Sequence, residues 1–420
     1  MHRNWIVERL AAVVVAAVLA VGSRGTLARV TQGGPLLWAE FGVSVAVESG
    51  TVFVAASPKK NGERSEGTVH LFERRQSAWV ETGRLSAPEA TVEDLFGIPM
   101  AADGDTFVVG AQFADARGDD SGLAYVFERR DEGWRRVAVL SAGDAAAGDQ
   151  FGLTVSVSGE TIAVGARLED SRGRGAGAAY VFERHDGTWE QVRKLTASDM
   201  ALGDLFGRVS VDNDEMMVSA DLNDDRGDQA GKAYVFEARG GVWTEVAQIA
   251  AGDAAAGDEF GISLALRGGT AVFGAIGDDG AGDNSGAAYV FERQNRRWTQ
   301  MARLVASDAA ARQSFGHSVA ADEDTIVVGA PNHGGDGEFA GAAYVFERRA
   351  GVWNQTAKLT PRDAARLRAF GSTVAVSNNT IVVGVLGNGD GAHPGAAYIF
   401  ERREGGWSEV AKLVPGLTAR

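Results

Sequence analysis

The dipeptide Phe-Gly recurs seven times at a nearly constant step, and this period constrains the fold more than any other feature of the chain. The copies are Phe41-Gly42, Phe96-Gly97, Phe151-Gly152, Phe206-Gly207, Phe260-Gly261, Phe315-Gly316 and Phe370-Gly371, spaced 55, 55, 55, 54, 55 and 55 residues apart. Trp79, Trp134, Trp189, Trp243, Trp298, Trp353 and Trp407 form a second ladder with the same step. Phe-Glu forms a third, from Phe72-Glu73 to Phe400-Glu401. A long self-similar period marks one supersecondary unit stacked on its own copies. The 420 residues therefore form one array rather than the two or three domains that length alone suggests.

The third unit shows what is repeated. Leu153 to Val157 alternates and is rich in β-branched residues; Ser158-Gly159-Glu160 is a turn; Thr161 to Ala166 is a second strand. A Gly- and Asp-rich loop leads to a third strand, Gly177 to Glu183, and a turn leads to a fourth, Trp189 to Leu195. Short strands between turn signals form an antiparallel meander. No stretch sustains a 3.6-residue pattern, which excludes a helical solenoid. On the fourth strand the period of two places the Trp, the residue four later and the residue six later on one face, as in Trp298, Ala302 and Leu304. Arg303, Lys194, Lys358 and Lys412 lie between them, as expected of an outer edge guarded by charge. The first two strands are apolar or small on both faces, as strands sandwiched between neighbouring sheets should be. Each unit therefore runs from inside to outside. Seven such sheets close on themselves as an all-β fold, a seven-bladed β-propeller of four-stranded antiparallel blades.

Charge and composition narrow the function. Glycine (56 residues) follows no strict triplet, which excludes collagen. A net charge of −15 without a basic stripe disfavours nucleic acid and anionic lipid as partners. The absence of cysteine excludes disulfides, thiolate metal sites and thiol catalysis. Arg3 and Arg9 precede a 12-residue apolar run, Leu10 to Val21, followed by Gly22 and Ser23. That is the build of a secretory signal over residues 1–23, with cleavage as late as 28, and the run is short for a membrane span. An uncleaved anchor is the alternative. Residues 24–40 are expected as a lead-in, 41–414 as the propeller and 415–420 as a tail. The expected location is periplasmic, extracellular or at the cell surface, with no membrane span after signal removal, and the expected state is a monomer.

Phe151-Gly152 followed by Gly165-Ala166 resembles the FG-GAP repeat. Lys194 to Asp199, leading into Gly203-Asp204-Leu205-Phe206-Gly207, resembles its bacterial version. The resemblance covers residues 30–415 and implies a propeller like that of integrin α chains, in bacteria mostly on secreted or surface proteins. The integrin version holds Ca²⁺ in an Asp-x-Asp-x-Asp-Gly loop between its first and second strands. Here that connection is only Ser158-Gly159-Glu160 or Glu48-Ser49-Gly50, too short to wrap a cation needing six to eight oxygens. The nearest acidic set is Asp221, Asn223 and Asp225, but Gly227 comes one place late and Lys232 stands where a bidentate Glu is needed. Asp278, Asp279 and Asp283 form a weaker set. No cofactor or metal is expected. Arg-Gly-Asp occurs at Arg117-Gly118-Asp119 and Arg226-Gly227-Asp228, in loops already biased toward these residues, and chance accounts for it.

The six histidines, His2, His70, His185, His317, His333 and His393, show neither ligand spacing nor register. No Gly-x-Ser-x-Gly elbow stands between strand and helix. The Glu of Phe-Glu occurs in every unit, where a catalytic acid would be singular, so a hydrogen bond or ion pair between blades is expected of it. Departures from the repeat cluster at Pro99-Met100, Met216-Met217, Pro331, His333 and Phe339, and in the loops Ser57 to Glu66, Asp278 to Ser285 and Pro331 to Ala340. These loops share one face of the disc and form the candidate ligand surface. A non-catalytic module binding a protein or glycan is the leading expectation. A propeller hydrolase or lyase is the alternative, and a pocket at the axis lined by non-repeating carboxylates or His would favour it. The C-terminal strand from Trp407 to Leu413 competes with Ala28-Arg29-Val30 for the outer place of the seventh blade. Trp407 offers the larger buried area, so the C-terminal copy is expected there.

Overall fold

The computed structural model describes residues 41–56, 67–76, 78–90, 94–131, 133–334, 340–363, 369–386 and 395–415. The signal, the lead-in, most of the tail, the loop at 57–66, Phe339 and His393 lie outside the described residues. Within them are seven four-stranded sheets, each built from four consecutive strands. Blade 1 runs from Phe41–Glu48 to Ala78–Ser86, blade 2 from Met100–Asp103 to Gly133–Leu140, and blade 3 from Thr154–Ser158 to Thr188–Leu195. Blade 4 runs from Arg208–Asp212 to Val242–Ile249, blade 5 from Ser263–Arg267 to Arg297–Leu304, blade 6 from Ser318–Asp322 to Val352–Leu359, and blade 7 from Thr373–Ser377 to Gly406–Leu413. First strands touch the first strands of both neighbouring blades, so they are innermost. The described residues contain no α-helix, and none is long and apolar enough to cross a membrane.

The core is a series of inter-blade layers. The second-strand segments Thr106–Ala111, Thr270–Ala275 and Thr325–Ala330 are buried at every position, because both faces meet a neighbouring sheet. The Phe of each Phe-Gly packs edge-on against the third strand of its own blade: Phe151 meets Tyr180 at 5.5 Å and Phe182 at 5.9 Å, and Phe206 meets Tyr234 and Phe236 likewise. Such T-shaped pairs add to the burial itself. The glycine that follows is required twice over. Gly207 has φ +141°, and a Cβ there would press on the Ala178 carbonyl oxygen. Its partner Gly165, of the preceding blade, could not carry a Cβ without overlapping the Gly207 carbonyl oxygen.

The fourth strand corrects the face assigned from its period. In all seven blades the ladder to the third strand shifts by one residue midway. In blade 3, Phe182 opposes Gln191 and Val181 opposes Arg193, leaving Val192 as a bulge. One extra residue exchanges the faces beyond it. Trp189 therefore packs in one layer with Val108 and Val126 of blade 2, and Leu195 in the opposite layer with Phe206 and Val209 of blade 4. The Trp and the Leu six residues later serve opposite neighbours rather than one face. The interleaved Lys194 is also no free edge guard, since its Nζ lies 2.6 Å from Asp144.

The ring closes through the C-terminal strand. Gly406–Leu413 pairs with Ala396–Arg403. Leu413 is fully buried in the layer that holds Phe41 and Val45 of blade 1, and Trp407 packs on blade 6. Arg74 of blade 1 donates to Glu401 of blade 7 at 2.7 Å, and Phe41 bridges to Gly395.

Candidate functional site

The repeated polar residues form a belt between blades. The Glu of each Phe-Glu faces the following blade, where a third-strand Arg meets it at six junctions and the indole of the Trp reaches it at three, Glu183, Glu292 and Glu347. Glu347 accepts from Arg402 at 3.1 Å and from Trp407 at 3.2 Å. Glu292 accepts from Arg348 at 3.0 Å and Trp353 at 3.2 Å. The pairs Arg129–Glu73, Arg184–Glu128, Arg293–Glu237 and Arg74–Glu401 continue the series. Blade 4 departs from it. Ala238 stands in the Arg place, and Glu183 takes the Trp243 indole alone at 3.0 Å, with His185 at 3.6 Å. Trp79, Trp189, Trp243 and Trp353 are buried, while Trp134, Trp298 and Trp407 are half-buried.

A second repeated device ties the connectors entering blades 3, 6 and 7 to their outer strands. Asp144 accepts from Tyr180 at 2.9 Å and Lys194 at 2.6 Å; Asp308 holds Tyr344 and Lys358, and Asp363 holds Tyr398 and Lys412. Burial, aided by the Asp144 carboxylate, drives the Tyr180 phenol far above its ordinary range, so it stays a donor. In blade 6 this clasp gains His333, whose Nδ1 is 3.2 Å from the Tyr344 hydroxyl and whose Nε2 is 2.7 Å from Lys358. Burial and the Lys358 charge push this imidazole down, toward the neutral form that accepts from the ammonium. In blade 3 the same place is held by Glu169, 3.0 Å from Lys194.

The loops between second and third strands and the connectors between blades share one face. Gly148 N donates to Asp119 O at 2.9 Å and Gly257 N to Asp228 O at 2.8 Å, so each loop is pinned to the connector that follows. Both Arg-Gly-Asp tripeptides lie in these exposed turns, and their aspartates supply those carbonyls. A cavity of about 290 Å³ opens here between blades 4 and 5, lined by Asp228, Gln229, Gly257, Asp279, Asp283 and Asn284.

The acidic set of blade 4 is dispersed among protein partners. The Asp221 carboxylate is ion-paired with Arg167 and lies 3.5 Å from Arg208. Asn223 donates to Asp204 and accepts from the Asp225 amide. Asp225 is held by Lys232 at 2.6 Å. Asp278 is held by Arg303 and by Tyr289, apart from Asp279 and Asp283 at the cavity. Among the described residues no group of three His, Cys, Asp or Glu is arranged to hold a metal ion. Met216 and Met217 are fully buried core, and Met100 closes the layer between blades 1 and 2.

The axis is where side chains do not repeat. The residue after each Phe-Gly sits where the innermost strand begins, and it reads Val43, Ile98, Leu153, Arg208, Ile262, His317 and Ser372. Arg208 and His317 are the polar exceptions of size. His317 Nδ1 lies 3.2 Å from the Ser372 carbonyl oxygen. Because a carbonyl only accepts, Nδ1 carries the proton and Nε2 the lone pair. Burial and then the Arg208 charge pull His317 down to about 4. Arg208 is itself pulled down to about 10, first by burial and then by repulsion from Arg167. Sequence reasoning named His317 only as a scattered histidine and missed Arg208. The signal was the column after Phe-Gly, apolar or small in five of seven copies.

The model of the FG-GAP repeat family matches residues 79–127, 134–182, 189–236, 243–291, 298–346 and 353–400. Each match opens on a fourth-strand Trp and ends at the Phe of the next Phe-Glu, so the family unit spans two adjacent blades. No curated protein matches the sequence. Among solved structures, a crystal structure from Bacteroides uniformis, titled as a candidate 6-phosphogluconolactonase, is similar in fold. Its TM-score is 0.51 at 10% identity, over 76% of this chain and 85% of the other.

Proposed function

Because this chain belongs to the FG-GAP repeat family, we propose that it is an exported interaction module that grips a partner through its loop-bearing face and performs no chemistry there. The observation that carries this reading is the union of a repeated scaffold with a non-repeating loop surface. Hydrogen bonds such as Gly148 N to Asp119 O and Gly257 N to Asp228 O tie loops to connectors on that face, and loops positioned by a scaffold are a common basis of recognition. The cavity between blades 4 and 5 presents Asp228, Asp279 and Asp283. Such acceptors suit the hydroxyls of a glycan or the basic segment of a protein. Export rests on the apolar run Leu10 to Val21. A glycan array and a pull-down with the chain lacking residues 1–28 test the reading. Binding that disappears in an Asp279→Asn, Asp283→Asn variant supports it. Binding that survives that variant, or no binding in either format, removes it.

One observation favours a second reading. The axis carries a singular imidazole, His317, whose Nδ1 is held by the Ser372 carbonyl, as a hydrolase or lyase working at the axis would need. Turnover of an ester or lactone panel, abolished by His317→Gln, would establish it.

A further inference from the structure

We infer that, given the loop-face reading on which this rests, the cavity between blades 4 and 5 takes one amino-sugar unit of a glycan. Its cationic amine lies against the rim carboxylates, and a hydroxyl meets the side-chain amide of Gln229.

The space exists because one position carries no side chain. Gly277 stands where the three preceding blades carry Phe113, Leu168 and Leu222. A Cβ there would overlap the carbonyl oxygen of Gly257, so the opening of about 290 Å³ stays unfilled. That volume is at the small end for a ligand pocket and suits one sugar ring. Gln229 lines it. This residue is 8% exposed and its backbone is committed, N donating to the Asp224 carboxylate at 2.8 Å and O accepting from Glu259 N at 3.0 Å. Its side-chain amide has no partner among the described residues. A buried amide normally spends both its donors and its acceptor, so a molecule in the cavity must complete this one. The equivalents in blades 2, 3 and 5 are Asp120, Gly175 and Asn284, all held like Gln229 at positive φ. Glutamine is the longest of the four.

The rim supplies the charge. Asp228, Asp279 and Asp283 stand there, and Asp228 has no ion pair among the described residues. Asp279 accepts from the backbone N–H of Asn284 at 2.7 Å. Asp283 accepts from the Asn284 side chain at 2.9 Å and lies 3.6 Å from Arg312, which is 80% exposed. Each carboxylate keeps lone pairs to offer. Asp258, which follows Gly257 on the connector, is pushed up to about 6, by burial first and then by Asp278, Asp253 and Asp279. The surroundings therefore favour a cation. Carboxylates alone would suit any cation, and the Gln229 amide narrows the class. Lysine and arginine side chains offer donors only and leave Gln229 Nε2 unmet, whereas a hydroxyl both donates and accepts. An amino sugar joins an ammonium and hydroxyls on one rigid ring.

The experiment is calorimetric titration of the full folded chain with glucosamine, glucose, N-acetylglucosamine and a short basic peptide, at neutral pH and fixed ionic strength. Glucosamine is expected to bind saturably and about tenfold more tightly than glucose, the value of one charge-assisted hydrogen bond. N-acetylglucosamine, which lacks the charge, is expected at or below the level of glucose. Gln229→Gly copies Gly175 of blade 3 and suits the positive φ. It is expected to weaken glucosamine and glucose alike by about fivefold. The double variant Asp279→Asn, Asp283→Asn is expected to remove the advantage of glucosamine over glucose. Should Gln229→Gly fail in thermal melts, Gln229→Asn, which copies Asn284, carries the same comparison. Equal affinities for glucosamine and glucose overturn the inference, as does glucosamine binding that neither cavity variant changes. A peptide that binds more tightly than glucosamine, and loses that binding in the double variant, also overturns it. If a partner is captured through Asp279 and Asp283 while glucosamine does not bind, the amino sugar falls and the loop-face reading stands; absence of all binding removes both.

Discussion

The outer belt and the axis of this propeller follow opposite rules. At the belt, one Arg–Glu pair serves six of the seven blade junctions, and a Trp of the same ladder packs at each. At the axis, the residue after Phe-Gly changes from blade to blade, from Val43 to Arg208 to His317. A repeated interaction must satisfy the same wedge of space seven times, so repetition reports architecture. A singular polar side chain amid apolar equivalents does nothing for the wedge and leaves a buried group to be compensated, so it reports a task. The two regions should therefore respond differently to substitution.

The largest effect is expected from opening the belt. Truncation after Arg403 removes Gly406–Leu413, and with it the fully buried Leu413 and the Trp407 to Glu347 bond. Blades 1 and 7 then lose their shared layer. The expected result is loss of a cooperative thermal transition. A truncated chain that melts cooperatively near the full-length temperature would break the claim that this strand closes the ring.

Trp243→Ala comes next. Trp243 is 2% exposed, bonds Glu183 and packs against Val181 and Leu195. Its removal should cost ~3–5 kcal/mol in denaturant unfolding, as for other buried aromatics. Trp298 is half-buried with an unpartnered indole nitrogen, so Trp298→Ala should cost clearly less. Equal costs at the two positions would show that the blade 4 junction has nothing distinctive.

Most of the belt was legible before any coordinates, and most of the axis was not. The Phe, Gly and Trp ladders gave blade number, strand number and inner-to-outer order, because each ladder answers a steric demand met seven times. The third-unit strands fall within two residues of their observed limits. The bulge on the fourth strand escaped detection, since Val192 and its equivalents look like ordinary β-branched strand residues, and a one-residue shift leaves no mark in composition. The Asp-Tyr-Lys clasp had a signal that was not used, namely Tyr180 and Lys194 recurring in step with Asp144. The partners of Arg208 and His317 were illegible because Asp221 and the Ser372 carbonyl come near them only through the folding of blade 4 and the packing of blade 7 on blade 6.

At the axis, His317→Gln should leave stability at neutral pH little changed and alter its acid limb. His317 titrates near 4 in the folded chain against an ordinary value of 6.5. Between those values the unfolded chain binds more protons, so stability rises with pH across this window and is lost as pH falls through it. His317→Gln should flatten that part of the curve, measured by urea unfolding at stepped pH. An unchanged slope would mean that His317 is not held neutral by its surroundings.

The smallest effect tests the one gap in the belt. Six junctions join a third-strand Arg to the preceding blade's Glu, and blade 4 has Ala238 facing Glu183 instead. The neighbouring Arg239 turns to Glu237 of its own blade at 2.6 Å. Ala238→Arg restores the series at a position whose backbone matches Arg184 and Arg293, so the new guanidinium can reach Glu183 without rearrangement. Part-exposed ion pairs contribute little, and the expected gain is ~0–1 kcal/mol. The gain should shrink in high salt and vanish in the double variant with Glu183→Gln. If Ala238→Arg were instead destabilising by as much as Trp243→Ala, the indole of Trp243 and a guanidinium could not share Glu183 at this junction. The departure of blade 4 from the belt would then be a requirement of its packing, of the same standing as the singular residues at the axis.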